Sequence, residues 1–415
     1  MRASWNKTPV RDISTRITKG TTPTTGGGSF AESGIAFIKV ESISEAGNIL
    51  AEKLAYIDEV TNQILSRSII QKDDVLFTIA GTIGRTALIR EEHLPANTNQ
   101  AVAIVRPDQQ KVLPRFLYYA LSDRSKTRQA ESRTVQSVQA NFSLGELGAL
   151  EVELPSLTEQ GEIASILGAL DDKIELNRRM NGTLEALAQA VFKEWFVEKA
   201  EEGWETMKIE DALSITKGVS YKSAELADSE VALVTLKSIN RGGGYRTDGL
   251  KPYVGKYKPT QVITPGELVV AQTDVTQGAE VIGKPALVLA DERQKTLVAS
   301  LDLLILRPKL EHLDQHFFYL RFRTEDFQNH IYGYTSGTTV LHLSKQGVPS
   351  YEFKAPPAEL GKRFTEQVKP LFDRIALNVA ESRTLTALRD TLLPKLMRGE
   401  VRVREAATIK ALTTP

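Results

Sequence analysis

Residues 155–197, PSLTEQGEIASILGALDDKIELNRRMNGTLEALAQAVFKEWFV, decide how this chain is read. Ile163, Leu167, Leu170, Ile174, Asn177, Asn181, Leu184, Ala188, Val191 and Trp195 recur at alternating steps of four and three. That is the spacing of a coiled-coil seam, which keeps one helix face turned to a partner helix. The stretch is far longer than the three or four turns of an ordinary core helix, so it predicts a long packing rod. Thr158 is the expected N-cap, and Glu162 in the first turn suits the helix dipole.

The partner lies in the same chain. A shift of 201 carries the seam onto Phe364, Val368, Leu371, Ile375, Asn378, Ser382, Leu385, Arg389, Leu392 and Leu396. The same shift carries Arg106-Pro107 onto Arg307-Pro308, Tyr118 onto Tyr319, Ser143 onto Ser344 and Pro155 onto Pro356. The chain is a tandem repeat. If the two rods pair antiparallel about a pseudo-two-fold axis, residue i faces residue 559 minus i. Asn177 then meets Ser382 and Asn181 meets Asn378, a polar layer of the kind that fixes register. Ile163 meets Leu396, Ile174 meets Leu385 and Leu184 meets Ile375. Arg389 falls opposite Leu170 and has to snorkel. Pro370 and the Gly168 turn are expected to weaken or kink their helices.

The 415 residues suffice for two or more domains. No cysteine is present, which excludes disulfides and thiolate metal sites. No run of 18 apolar residues occurs and the first residues carry no apolar stretch, so neither a membrane span nor a secretory signal is expected. Net charge is zero, but unevenly spread: residues 156–202 carry −5 and residues 356–415 carry +4. Opposite charge on two matched rods favours their pairing, although exposed ion pairs contribute little each.

Residues 1–155 read as a mixed α/β domain of short strands at 35–40, 74–79, 86–89 and 101–105, with a helix at 114–121. Residues 19–30, KGTTPTTGGGSF, read as a surface loop with neither helix nor central strand. Residues 203–355 repeat this domain: Ile215-Thr216-Lys217-Gly218 repeats Ile17-Thr18-Lys19-Gly20, and Ile282-Gly283-Lys284 repeats Ile83-Gly84-Arg85. The cores correspond while the loops diverge, as expected of two similar frames facing different targets. The second rod begins near Ala358, Gly399 is a natural stop, and residues 405–415 read as a frayed tail.

Catalytic signatures fail on inspection. GAEVIGKP at 278–285 has Pro285 where a phosphate-binding loop needs Ser or Thr, and a β-like run follows it. His312 and His316 are spaced for one helix face, but no HExxH pattern or further ligand set accompanies them. No dinucleotide fingerprint or nucleophile elbow occurs.

Two variable α/β domains, each followed by a seam helix, give the chain a resemblance to the specificity (S, HsdS) subunit of type I restriction-modification enzymes. The motifs that carry it are Pro155, Glu159-Gln160 and Ile163, then Leu170-Asp171-Asp172-Lys173-Ile174-Glu175-Leu176-Asn177, and Phe192-Lys193-Glu194-Trp195-Phe196. Leu392-Leu393-Pro394-Lys395-Leu396 with Gly399-Glu400 closes the second copy, and Asn99-Gln100 fits the recognition domains. One departure is Glu359-Leu360-Gly361, where a Glu-Gln pair is expected.

The resemblance implies an α/β (mixed α+β) fold: two similar globular target recognition domains joined by two long antiparallel coiled-coil helices in a pseudo-two-fold tandem repeat. Recognition domains are expected at 1–155 and 203–355, and helical spacers at 156–200 and 356–404. It implies a non-catalytic cytoplasmic subunit that binds double-stranded DNA, two modification (methyltransferase) subunits and restriction subunits. S-adenosylmethionine belongs to the methyltransferase partners, and no cofactor or metal is expected in this chain. A paired rod of about 30 residues is roughly 45 Å long, against about 34–36 Å between successive major-groove faces. Domains at its ends then suit half-sites about one turn apart.

Base readers and phosphate holders are chosen by loop position and residue type. They are Lys19, Thr21, Thr22, Arg85, Arg133 and Gln136 in the first domain. In the second they are Lys217, Tyr221, Lys222, Arg241, Thr273, Gln277, Tyr334 and Thr338. Apolar residues off the seam, Ile166, Met180, Leu187, Phe192 and Phe196, are candidates for a subunit-docking stripe; the alternative is contact with the recognition domains. Two other readings stay open: a self-contained DNA-modifying enzyme, and a coiled-coil assembly adaptor without a DNA role.

Overall fold

The computed structural model describes residues 5–136, 142–276 and 278–401, and the side chains of 131–136 lie outside that description. The expected tail, 405–415, also lies outside it. The chain divides into two compact units, Met1–Ile174 with Thr384–Pro415, and Glu175–Arg383.

In unit 1 a four-stranded antiparallel sheet runs in the order Ser14–Lys19, Val102–Pro107, Val75–Thr78, Thr86–Leu88. A second sheet runs Phe30–Ala31, Ala55–Ile57, Ile35–Ile38, Ala96–Thr98, with its last pair parallel. The inner strands of the first sheet are continuous apolar runs because both of their faces are covered. Val75, Phe77, Ala103 and Val105 point into a core shared with the helices. Leu76, Val102 and Ile104 point into a core shared with the second sheet.

Unit 2 repeats the first sheet strand for strand and the inner part of the second, but among the described residues it lacks a counterpart of Phe30–Ala31 and has the edge strand Val262–Ile263 where unit 1 has the single bridge of Ile70 to Ala96. Its first sheet runs Leu213–Lys217, Leu303–Pro308, Leu268–Ala271, Pro285–Leu287. Its second runs Lys251–Pro252, Val231–Val234, Thr296–Ala299, Val262–Ile263, again with one parallel pair. Leu304 and Leu306 face the helices, and Leu303 and Ile305 face the second sheet. An ion pair recurs at the same place: Arg106 grips the fully buried Asp74 through two bonds of 2.8 Å, and Arg307 grips Glu267.

The long helices are Leu157–Lys193, followed by a π-helical turn Glu194–Glu198, and Ala358–Met397. The first is capped by Ser156, not Thr158. The Ser156 Oγ accepts from the Glu159 N–H at 3.3 Å, and the Glu159 carboxylate accepts from the Ser156 N–H at 3.2 Å. Glu159 therefore occupies the first turn, and Glu162 follows it.

No break occurs at Ala169 or Pro370. A proline in mid-helix costs about 3 kcal/mol, but Val368 and Phe372 on either side of it are buried in the core. Gly168 has a different role from weakening its helix: a Cβ there would meet the Arg115 guanidinium at 2.4 Å. Gly399 ends the second helix with φ 60°, as its position suggests.

The seam holds within each unit. In unit 1, Ile163, Leu167 and Leu170 are buried with Leu392 and Leu396, and Leu385 packs beside them; Ile174 is half-buried. In unit 2, Ala188 is buried with Phe364 and Val368, while Val191, Trp195, Leu371 and Ile375 pack against the same core; Leu184 is half-buried. The polar layer fixes the direction. Asn177 donates to Ser382 Oγ at 3.2 Å and Glu381 Oε2 at 2.8 Å, and Asn378 donates to Asn181 Oδ1 at 2.8 Å. Ser382 for Asn177 and Asn378 for Asn181 are the antiparallel partners that the 559 rule names, and Glu381 is the neighbour of Ser382. Arg389 does not snorkel to solvent; Asp171 holds it at 2.9 Å and Asp390 at 2.8 Å, with the side chain 15% exposed.

The docking stripe requires correction. Ile166, Phe192 and Phe196 are buried in the unit cores, Phe192 and Phe196 among Phe317, Phe364 and Trp204. Aromatic side chains of that size remove more apolar area against a domain than they can on an open helix face. Met180 is half-buried and Leu187 is 50% exposed.

Candidate nucleic-acid interface

In each unit the chain crosses from the second sheet to the first at one corner, residues 98–102 in unit 1 and 299–303 in unit 2. The loop after the first strand presses its backbone on that corner. Gly20 and Gly218 are obligatory there: a Cβ would meet Thr98 O at 1.7 Å and Ser300 O at 2.0 Å. A fixed backbone thus presents whatever side chains the corner and loop carry.

In unit 1 those side chains form one cluster. Thr22 Oγ1 donates to Gln100 Oε1 at 2.6 Å, and Arg67 Nη2 donates to Thr21 Oγ1 at 3.4 Å. Lys19, Arg67 and Gln100 are exposed, and Thr21 and Thr22 partly so. Residues 23–26 are not irregular as the sequence suggests: Pro23–Gly26 is a single helical turn, entered through Pro23 and closed by Gly27 at φ 87°.

Arg85 does not join the cluster. Its guanidinium donates to Ile43 O at 2.8 Å and Val40 O at 3.4 Å, so it braces its own domain. Arg133 and Gln136 lie on the helix Arg124–Gln136; their side chains fall outside the described residues.

In unit 2, Lys217 and Lys222 are exposed at the corresponding loop. Tyr221 is held instead in a small core, with Lys251 Nζ 3.2 Å from its hydroxyl and over its ring. The half-buried ring and the hydroxyl held by Lys251 tie it to its own domain. Leu301 occupies the corner where unit 1 has Gln100, and it is 45% exposed. Arg241 is exposed and paired with Glu280 at 3.1 Å. Gln277 lies outside the described residues.

Unit 2 also carries a small sheet of its own, Thr273–Asp274, Leu341–Leu343 and Thr335–Ser336. Thr273 donates to Asp302 at 2.9 Å beside the corner. Tyr334 precedes the hairpin, and Thr338 is exposed at its tip. The buried Asp274 ties Thr276 to Val281 and Ile282 by accepting from their N–H groups at 2.6, 2.6 and 2.9 Å. Burial pushes its carboxyl up, but those donors outweigh it and hold the group below the usual carboxylate range.

Arg67 and Gln100 were missed in the sequence because they reach the Lys19 loop from distant parts of the chain. The Arg-Pro repeat does supply a signal, since counting back from Arg106 and Arg307 aligns Gln100 with Leu301.

Other chemistry is sparse. A groove of about 500 Å3 in unit 1 is lined by Tyr118, Tyr119, Asp123, Arg124, Asp171 and Arg389 among others, with Tyr119 donating to Asp171 at 2.6 Å. Among the described residues no group of three or more His, Asp or Glu is placed to hold a metal ion. No described helix is long and apolar enough to cross a membrane.

The frame has a solved counterpart in the S subunit of a type I restriction-modification system from M. genitalium. The match has a TM-score of 0.56 and 16% identity over 95% of this chain and 96% of that one, a likeness of fold. Residues 3–186 match the family model of the type I restriction modification DNA specificity domain. The specificity subunit of the type I restriction enzyme MjaIX of Methanocaldococcus jannaschii is 26% identical, over 97% of this chain and 94% of its own. That of HindI from Haemophilus influenzae is also 26% identical, over 81% and 88%. Along most of its length the chain is thus similar to type I restriction enzyme specificity subunits.

Proposed function

We propose that this chain is the non-catalytic DNA-reading subunit of a type I restriction-modification complex, each unit reading one half of a split asymmetric site. The observation that supports it best is the repetition: two frames whose first sheets have the same strand order present different side chains at the same corner, Gln100 in one and Leu301 in the other. A frame that keeps its backbone and changes its exposed residues suits direct readout of two different base sequences. Arg67 and Lys19 supply charge for DNA without a strongly basic chain.

The long helices serve as spacer and docking surface. Leu176 and Leu377, the same position in the two copies, are 52% and 62% exposed beside the polar layer. Met180 and Leu187 continue the stripe from Leu176 along the first helix. A duplicated apolar patch fits two copies of one partner, the modification subunit, which brings S-adenosylmethionine; restriction subunits then complete the nuclease. The assembly works in the cytoplasm.

Selection from a randomised duplex library, with the chain bound to its modification subunits, tests this reading. Two short fixed blocks separated by an unread spacer are expected. One continuous block, or no enrichment, contradicts the proposal. Methylation of DNA by the purified chain alone would make it a self-contained enzyme instead.

A further inference from the structure

Among the exposed cations of unit 1, Arg67 is set apart by how firmly its backbone is held. It sits on the one-turn helix Ser66–Ser68, over a buried polar network. Ser68 Oγ donates to Asn97 Oδ1 at 2.7 Å, and Asn97 Nδ2 donates to Asn62 Oδ1 at 2.9 Å and to Leu65 O at 3.3 Å. Ser68, Asn97 and Asn62 are all buried. Such a network, with its members paired, fixes a local backbone more tightly than a surface turn is usually held.

The side chain itself is left open. Its one hydrogen bond among the described residues is the 3.4 Å contact to Thr21, and no carboxylate of those residues lies within ion-pair distance. Arg246 and Arg293, also exposed, each hold an acid, Asp248 and Asp291. Arg67 has a hydroxyl on one edge of its guanidinium, and the next residue of the same loop, Thr22, bonds Gln100.

Unit 2 lacks this arrangement. Ile70 pairs with Ala96 and Ile263 with Leu297, which aligns the two turns and puts Thr260 where unit 1 has Arg67. The Thr260 carbonyl accepts from Arg307 at 3.0 Å, a bond within the frame.

We infer that Arg67 is a specificity-determining residue of the first unit, reading a guanine through its planar fork with Thr21 as a buttress. The inference rests on the proposed DNA-reading function. A guanidinium offers two parallel donors to the O6 and N7 acceptors of guanine in the major groove, and a point charge such as lysine matches them less well. A rigid base under the side chain lowers the ordering cost of that contact. Unit 2, with Thr260 at this place, imposes no guanine at the matching position of its own half-site.

The experiment maps methylated bases in DNA from cells carrying the whole complex with the native chain, Arg67→Ala or Arg67→Lys. The native complex is expected to require a guanine in one half-site. Arg67→Ala lowers the preference for that guanine about ten- to a hundred-fold, Arg67→Lys lowers it in the same direction, and the other half-site stays as it was. The second half-site, read by the same molecule, reports that each variant is folded. A half-site without guanine, an unchanged guanine requirement in Arg67→Ala, or full retention in Arg67→Lys overturns the inference. A uniform loss of methylation with the motif intact also overturns it, since that marks a phosphate contact. A native complex that methylates no two-part motif sinks the proposed function itself.

Discussion

Gln160 and Gly361 occupy the same turn of the two long helices, and they join helix to domain in opposite ways. In unit 1, Gln160 is fully buried; it accepts from Leu113 N–H at 2.9 Å and donates to Lys111 O and Pro155 O at 3.1 and 3.0 Å. In unit 2, the segment at His312 comes so near the helix that a Cβ at position 361 would meet its carbonyl at 2.4 Å. One copy fills the gap with an amide that satisfies three backbone groups, and the other closes it. The contrast repeats one turn or more along. Arg115 bonds Asp172 at 2.6 Å and Gly168 O at 3.0 Å in unit 1, whereas His316 stacks on Phe372 in unit 2, ring centres 4.9 Å apart. A shared fold therefore constrains where domain and helix touch, and leaves the chemistry of the contact free.

The largest test of that contrast lies in the recurrent ion pair. Asp74 is wholly buried while Glu267 is 21% exposed. Asp74→Ala leaves Arg106 without its partner and costs about 3–5 kcal/mol, read as a drop in the urea midpoint. Glu267→Ala costs less, and equal losses would mean that the two pairs are equivalent.

Next comes the clamp. Phe372→Ala removes a buried ring and costs about 3 kcal/mol, with no dependence on salt. Arg115→Ala in unit 1 costs about 1 kcal/mol or less, and that difference shrinks as salt is raised. Denaturation at low and high salt separates the two, and a salt-dependent Phe372 effect would erase the distinction.

The narrowest effect is local. Asp274→Asn replaces the acceptor of the Thr276, Val281 and Ile282 N–H groups by an amide and costs about 1–3 kcal/mol, confined to the backbone around them. Because the folded carboxyl is held below its ordinary value, the carboxylate's contribution is present above that value and is lost as pH falls through the lowered one. Methylated-base mapping should show the unit 2 half-site blurred and the unit 1 half-site sharp; blurring of both would contradict the separate loops described for each unit.

The seam was legible because a 3–4 spacing sustained over so many turns has few other physical meanings. Its register was legible because Asn177, Asn181, Asn378 and Ser382 are polar where the seam is otherwise apolar. The repeat located the cores for the same reason, since both faces of each inner strand are buried and both copies keep apolar runs. Other features depended on contacts that no local pattern carries. Phe192 and Phe196 looked like free apolar residues on a rod until Phe317 and Phe364 came against them. Arg85 looked like a loop cation, but two carbonyls of residues 40 and 43 claim it. Gln100 reaches the loop after the first strand through the sheet-to-sheet crossover, and Arg67 reaches it from the turn Ser66–Ser68.

The most direct measurement replaces residues 203–355 with a second copy of residues 1–155 in the whole complex and maps the methylated bases. Two copies of one reader predict a split site whose two blocks carry the same sequence, that of the native unit 1 half-site. A motif that keeps the native second block, or one that loses its division into two blocks, would contradict the claim that each unit reads its own half.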